Sequence, residues 1–403
     1  MKVLGLMSSH DCSFSVLDNG VPRVHAELER YIREKEPEGD PFEFFKKVCG
    51  EQEHIDDIAV CYGFSEHMKK NYPDGLKKFT SYIKENDIKL HAVGHHQSHA
   101  ANAFYSSNLD EALIVTLDGG GMDLNFDNKL IPTSYTVWEG TGTKIEPRAI
   151  VHSEHINIGF AWQRVTKLVF GLSSGYPRGN QAGTVMAMAC MGDPDKYLPY
   201  FEKYNFILQA YHVDEPESDE QLFDFVKMRE IASRSEKDAF DVAAALQKAT
   251  ENKIKEIFDL ISSQTEKRNL CLSGGVILNS VVAGKLHEWY GDRYDNIYVC
   301  PVAYDAGIAI GAAQYVWHYI KGNDRIKWED NASPYLGEVY DSESIKNALE
   351  NDKLTYKVTN QYEVLQLLSD QNIVSVFSGG SESGRRALGN RSILADPRNP
   401  NMK

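Results

Sequence analysis

The sequence lacks any CxxC pair. Its six cysteines (Cys12, Cys49, Cys61, Cys190, Cys271, Cys300) are scattered, most of them in apolar runs such as Leu270-Cys271-Leu272. This excludes a zinc ribbon or a disulfide framework and fits a reducing, cytoplasmic setting, where a free thiol packs as a small hydrophobe. Long apolar runs are also missing. None approaches the roughly 20 residues of a spanning helix. The opening Val3-Leu4-Gly5-Leu6-Met7 run is too brief for a secretory leader, with His10-Asp11 following at once. Basic charge is scarce: 43 Lys+Arg stand against 58 Asp+Glu, a formal charge of −15. Binding to nucleic acid needs clustered cations on the phosphates, so neither nucleic acid nor membrane is an expected partner. An amide-lined cleft for a small anion stays open. What remains is an ordinary globular composition, 42% hydrophobic over 403 residues. At about 150 residues per domain that means two or three domains, or one fold built from two halves.

The order of elements favours two halves. An apolar strand at Val3–Leu6 runs into the polar Ser8-Ser9-His10-Asp11, a returning strand, and the hairpin signal Asp18-Asn19-Gly20. The order recurs downstream: Ala112–Leu117, then Asp118-Gly119-Gly120-Gly121 read as a turn, the strand Thr133–Trp138, and the turn Glu139-Gly140-Thr141-Gly142. A third strand, residues 269–272, meets Ser273-Gly274-Gly275 and a helix expected over 277–288. Helical periodicity is strong over 96–106, 160–170, 183–191, 240–263 and 307–322. On the 240–263 helix Val242, Leu246, Ile254, Ile257 and Ile261 form one apolar face. Residues 214–237 read as a solvated helical insertion. A boundary falls near 330–334, before short helices, a strand at 373–377, and a glycine- and arginine-rich end.

Several segments carry chemistry. On a helix, His95 and His99 lie at i and i+4, a spacing that lets two imidazoles share one metal. The same spacing also occurs on ordinary helices with half-exposed histidines. Asp118 and Asp305 both follow buried strands, where a carboxylate can enter a cleft. Two His with two carboxylates suit Fe(II), Mn(II) or Zn. The glycine turns at Gly119-Gly120 and Gly274-Gly275 offer backbone amides to an anion, although neither is a Walker or dinucleotide fingerprint. The order strand–loop–strand, strand–loop–strand, strand–GG–helix resembles the duplicated actin/hexokinase-like (ASKHA) α/β nucleotide fold.

Together these residues resemble the O-carbamoyltransferases of the nodulation and antibiotic-tailoring family. The strongest match is Arg386-Ala387-Leu388-Gly389-Asn390-Arg391-Ser392-Ile393-Leu394-Ala395-Asp396-Pro397-Arg398. It is joined in order by His10-Asp11, His95-His96-x-x-His99-Ala100-Ala101, Leu117-Asp118-Gly119, Leu272-Ser273-Gly274-Gly275-Val276-x-Leu278-Asn279 and Asp305-Ala306-Gly307. The resemblance implies an actin-like domain over 1–330, in halves of about 1–110 and 111–330. This domain is similar to tRNA threonylcarbamoyl transferases and uses ATP and a divalent metal, Fe(II) favoured over Mn(II) or Zn. Residues 331–403 are then the beginning of a YrdC-like carbamoyl-phosphate domain that continues further in the family. In the implied reaction carbamoyl phosphate and ATP give carbamoyl-adenylate, and a hydroxyl of a sugar or secondary metabolite takes the carbamoyl group.

The resemblance assigns roles residue by residue. His95, His99, Asp118 and Asp305 hold the metal. Gly119, Gly120, Gly274, Gly275, Asn279 and Asp305 hold the nucleotide, and Arg386, Asn390 and Arg391 hold carbamoyl phosphate. His10 with Asp11 serves the acceptor hydroxyl, as base or as orienting group, a capping role for His10 being the alternative. The acceptor pocket is expected along 123–128, 152–162 and 212–237, and a homodimer is the expected assembly. Two departures stand out. Thr184 occupies the place of a family lysine, with Arg385 or Arg178 as the expected replacement cation. The glycine loop reads Gly380-Ser381-Glu382-Ser383-Gly384-Arg385 where the family commonly has Arg-Met-Glu-Phe-Gly-Pro. Other readings remain: a tRNA threonylcarbamoyladenosine-type transferase, a non-catalytic nucleotide-binding regulatory module, or a sugar kinase.

Overall fold

In β1 (Lys2–Met7) five consecutive buried residues follow Lys2, so this strand is covered on both faces. A computed structural model describes residues 1–402 of the chain apart from 174–179, 214–221 and 328–333. β2 (Ser13–Asp18) and β3 (Val21–Glu27) form a hairpin whose turn residues Asn19 and Gly20 have φ of 49° and 87°. Two successive positive φ values suit an Asn-Gly pair. β4 (Asp57–Cys61) and β5 (Lys89–Val93) then add in parallel on the other side of β1, giving the order β3-β2-β1-β4-β5.

The second half repeats this arrangement. β6 (Glu111–Leu124) pairs antiparallel with β7 (Leu130–Thr141), which pairs antiparallel with β8 (Lys144–His152). β9 (Asn269–Ser273) and β10 (Asn296–Val299) add in parallel, giving β8-β7-β6-β9-β10. Both the order and the strand directions match those of the first sheet. This is the duplicated actin/hexokinase-type α/β fold that the sequence order implies. The Glu236–Ser262 helix, N-capped by Ser235, covers the second sheet with the expected face buried: Val242, Leu246, Ile254, Ile257 and Ile261. Each such side chain contributes about 1.5–3 kcal/mol on leaving water.

Two sequence expectations are corrected. Asp118–Gly121 is not a turn that ends a strand. β6 runs through it to Leu124, with the pairing to β7 interrupted between Leu117 and Gly121. The extra residues bulge the strand and re-aim Asp118. The helix expected over 277–288 splits into a short 3₁₀ turn at Gly275–Leu278 and a helix at Ser280–Tyr290, because Asn279 caps the latter through Val282 N–H. Of the 214–237 insertion, residues 214–221 lie outside the described residues, as do 330–333 at the expected boundary. Beyond it, the short helices Ser342–Asn351 and Gln361–Ser369 accompany a hairpin of β11 (Val374–Phe377) and β12 (Arg391–Leu394). Ile373, Phe377 and Ile393 stay exposed there.

The seam between the halves is made of small residues. The Ile308–Gln314 helix lies between β1 and the His95–Ser106 helix. A Cβ on Gly5 would come within 1.8 Å of the Ala309 carbonyl oxygen, and one on Gly311 within 1.8 Å of that of Ser98. Ala100, Ala101, Ala103, Ala312 and Ala313 are all fully buried at or beside this seam. Even one methyl group must force the layers apart. Gly311→Ala is expected to cost at least about 2 kcal/mol, measured by denaturant titration. An unchanged midpoint would show that the helices have slack.

Candidate active site

His95 and His99 begin the helix that follows Gly94, and a distant side chain fixes that start. The Asp123 carboxylate, buried in β6, accepts from His96 N–H (3.1 Å) and Gln97 N–H (3.1 Å). It thereby satisfies two of the helix's orphan donors. One turn apart, the His95 and His99 rings lie 4.9 Å centre to centre. Gly121 is required opposite them, since a Cβ there would fall 2.2 Å from the His95 ring. The adjacent His96 points away and is satisfied in the core by Thr116 Oγ1 (2.6 Å) and the Thr133 carbonyl (3.1 Å). Burial lowers its pKa to about 4, so it is neutral.

The two carboxylates come from opposite ends of the second half. Asp118 Oδ1 accepts from Gly275 N–H (3.1 Å), while Oδ2 lies 2.9 Å from His95 Nε2 and 3.4 Å from His99 Nε2. Asp305 Oδ1 lies 3.6 Å and 3.4 Å from the same nitrogens. The turn carrying Asp305 is held from the first sheet, where Ser13 Oγ and His25 Nε2 both bond the Ala306 carbonyl. One ligand atom from each of the four residues falls within 4.8 Å of the others.

The tautomer of His99 follows from its neighbours. Ser273 Oγ donates to the Ala303 carbonyl (3.1 Å), so it accepts from His99 Nδ1 (3.3 Å). That leaves the proton on Nδ1 and the lone pair of the neutral ring on Nε2, facing the carboxylates. His99 Nε2 is buried without a hydrogen bond of good geometry. Two imidazoles and two carboxylates converging on one point, with one nitrogen orphaned, fit a divalent cation. Without a cation, protons serve instead. Burial lowers the pKa of His99, but Asp118 and Asp305 outweigh it and hold it near 9. Burial raises that of Asp118, yet the two imidazoles hold it well below the usual carboxylate range.

Above this cluster opens a cleft of about 620 Å³ lined by both halves. His10, Asp11, Asp118, Gly119, Gly120, Gly275, Asn279 and Asp305 all line it. Gly274 does not. With φ of 99° and its Cα hydrogens against Leu117, where a Cβ would meet the carbonyl oxygen at 2.1 Å, it shapes the turn from beneath. His10 Nδ1 is 3.1 Å from Asp11 Oδ2 and its Nε2 is 3.5 Å from Asp305 Oδ2. Burial lowers its pKa, but Asp305 and Asp11 outweigh that and raise it to about 10.

The arginine segment divides. Arg386 lines the cleft and donates to the Leu278 carbonyl. Asn390 and Arg391 do not reach it. Asn390 donates to the Gly380 carbonyl (2.8 Å), and the Arg391 guanidinium lies 3.7 Å over the Phe377 ring and bonds the Ser378 carbonyl (2.7 Å). Buried Glu382 organises this loop by accepting from the N–H groups of Leu388 (3.2 Å), Asn390 (2.8 Å) and Arg391 (3.0 Å). Burial raises its pKa, and these donors bring it below the ordinary value. Thr184 is exposed and does not line the cleft. Arg385 does line it, but its charge is committed to Asp11 (2.6 Å) and Glu36 (2.8 Å). Arg178 lies outside the described residues. Of the stretches expected to form an acceptor pocket, 152–162 contributes Gly159, Phe160 and Trp162, whereas Asp123 is a buried helix cap. Sequence reasoning missed Asp123, Glu36 and Glu382, since no local signal marks a carboxylate whose partners are set by tertiary structure.

A cation held by this cluster would add to stability. At free Mn(II) a hundredfold above its Kd, stabilisation of about 2.7 kcal/mol is expected. Asp118→Asn keeps the side chain's shape but removes its charge, and should abolish that increment in thermal melts. An equal increment in the variant would place the ion elsewhere.

The family profile for the carbamoyltransferase N-terminus matches residues 52–314, and that for the carbamoyltransferase C-terminus matches 365–403. An uncharacterised protein of Synechocystis sp. is 31% identical across the whole of this chain, which covers 72% of that relative. The nodulation protein NolO of Bradyrhizobium diazoefficiens is 31% identical over 76% of this chain, and NolNO of Sinorhizobium fredii 29% over 77%. The chain spans about half the length of these two nodulation proteins, 54% and 44% respectively. Among solved structures, HypF of T. kodakarensis is similar over 80% of this chain and 48% of its own, with 15% identity and a TM-score of 0.48. No helix among the described residues is long and apolar enough to cross a membrane. With most of its length matched by the family's own profile, the chain belongs to the carbamoyltransferase family.

Proposed function

We propose that this chain carries the ATP-dependent half of an O-carbamoyltransferase. The observation that carries the reading is the His95–His99–Asp118–Asp305 cluster at the floor of a cleft whose Gly119, Gly120 and Gly275 come from the second half and whose His10–Asp11 turn comes from the first. A carbamate oxygen attacks the α-phosphorus of ATP and pyrophosphate leaves, giving carbamoyl-adenylate. The acceptor hydroxyl then attacks the carbamoyl carbon, AMP leaves, and the hydroxyl proton passes to base or water. When bound, a divalent metal supplies Lewis-acid stabilisation of phosphate and carbamoyl oxygens.

The chain's own residues supply the rest. Gly119 and Gly120 present backbone to the phosphates, Gly275 borders them with its N–H held by Asp118, and Asn279 closes the nucleotide side at the start of the Ser280–Tyr290 helix. Arg386, reaching the same cleft, offers a guanidinium to a phosphate or carbamate anion. Asn390 and Arg391, whose donors go to backbone carbonyls, shape the segment that carries Arg386 and that Glu382 holds together. His10, flanked by Asp11 and Asp305, keeps its proton. That favours an orienting hydrogen bond to the reacting oxygens over abstraction of the acceptor proton. The acceptor enters past Phe160 and Trp162, and its hydroxyl is carried by a sugar or secondary metabolite.

The test is pyrophosphate release from ATP by the anaerobic, Fe(II)-loaded chain, in two arms. One supplies carbamoyl phosphate; the other supplies ammonium bicarbonate, which contains carbamate at equilibrium. Release in either arm is expected, with loss of at least about a hundredfold in the His95→Ala/His99→Ala double variant. ATP binding with no release in both arms would replace this reading with a regulatory nucleotide-binding module.

A further inference from the structure

We propose that Arg385 is a positioning residue that locks the His10–Asp11 turn, so that the cleft in the N-terminal fold is completed by the C-terminal segment. The inference rests on the carbamoyl-transfer reading of this cleft, which His10 lines beside Asp305. Asp11 has φ of 61°, a left-handed conformation unusual for a residue with a side chain, and it is buried. Asp tolerates this region better than most residues, and here the Arg385 contact from outside the turn also holds it. One carboxylate oxygen of Asp11 faces His10 Nδ1 at 3.1 Å, and the other takes the Arg385 Nη2 donor at 2.6 Å. The second Arg385 terminal nitrogen reaches Glu36 Oε1 at 2.8 Å, and the guanidinium sits 4.5 Å over the Tyr304 ring, next to Asp305. A planar fork gripping two carboxylates and stacked on a ring has little freedom left.

The residue before it is held as firmly. Gly384 has φ of 104°, and a Cβ there would lie 2.6 Å from the Pro301 carbonyl oxygen. Its N–H donates to Glu27 (2.7 Å), a buried carboxylate that also accepts the Tyr304 hydroxyl (2.7 Å). The Gly384-Arg385 pair is therefore built into the first half across more than 350 residues of sequence. Arg385 orients Asp11, Asp11 orients the His10 ring, and the ring's far nitrogen faces Asp305 at 3.5 Å. Lost order at Arg385 is passed through Asp11 to the His10 ring.

The test uses the full chain with ¹⁵N-labelled histidine, His10→Ala assigning the His10 signals. In wild type the His10 Nδ1–H is expected as a downfield, exchange-protected proton. In Arg385→Ala that signal is lost while the His95 and His99 signals persist, and Arg385→Lys restores part of it. In pyrophosphate release, kcat of Arg385→Ala falls about tenfold to a hundredfold while KM for ATP moves less than about threefold, and added guanidinium recovers part of the rate. An unchanged His10 signal in folded Arg385→Ala overturns the proposal whatever the turnover. If that variant fails to fold, Arg385→Lys and Glu36→Gln are read the same way, and unchanged signals in both overturn it. A wild-type protein that releases no pyrophosphate refutes the carbamoyl-transfer reading alone, because the His10 signal still reports the lock.

Discussion

Two carboxylates, Asp118 and Asp305, are buried against each other's neighbours, and the centre of the molecule is arranged around that fact. Like charges at such a spacing cannot both stay ionised in a dry site without positive charge between them. The fold answers with two imidazoles from one helix turn, 2.9–3.6 Å from the carboxylate oxygens. Ser273 sets the His99 tautomer so that its lone pair joins them. The site can be satisfied by protons or by a cation.

Bringing those four side chains together demands close approach of elements far apart in sequence. The seam of Gly5, Gly311 and buried alanines lets the Ile308–Gln314 helix lie against both β1 and the His95–Ser106 helix. Gly121 performs the same service for the His95 ring, and Gly274 for the turn over Leu117. These glycines are requirements of contact rather than of flexibility. The first sheet in turn steadies the Asp305 turn through Ser13 and His25, so the two halves share a single centre.

Much of this was legible in the sequence, for reasons that are local. The i, i+4 spacing of His95 and His99 is a helix property, and Asn19-Gly20 names its own turn. The repeated order of strands and Asp-bearing loops announced the duplication because each half was patterned alike. Where reading failed, the cause was tertiary. Asp118-Gly119-Gly120-Gly121 looks like a turn until β7 and the His95 ring are known to flank it, and then it is a bulged strand. Asp123 looks like a surface loop residue until the helix it caps is placed beside it. Asn390 and Arg391 stand in the same motif as Arg386, yet backbone carbonyls take their donors while Arg386 reaches the cleft. The partners of Arg385 lie 349 and 374 residues away, beyond any spacing rule.

The central claim is that one metal–nucleotide centre lies between the two halves, on His95, His99, Asp118 and Asp305. Pulsed EPR of the Mn(II)-loaded chain with ATP addresses it most directly. The account predicts one tightly bound ion per chain, with ¹⁴N coupling from histidine and ³¹P coupling that appears when ATP is added. A bound ion that shows histidine nitrogen but never phosphorus, or no bound ion at all, would contradict it.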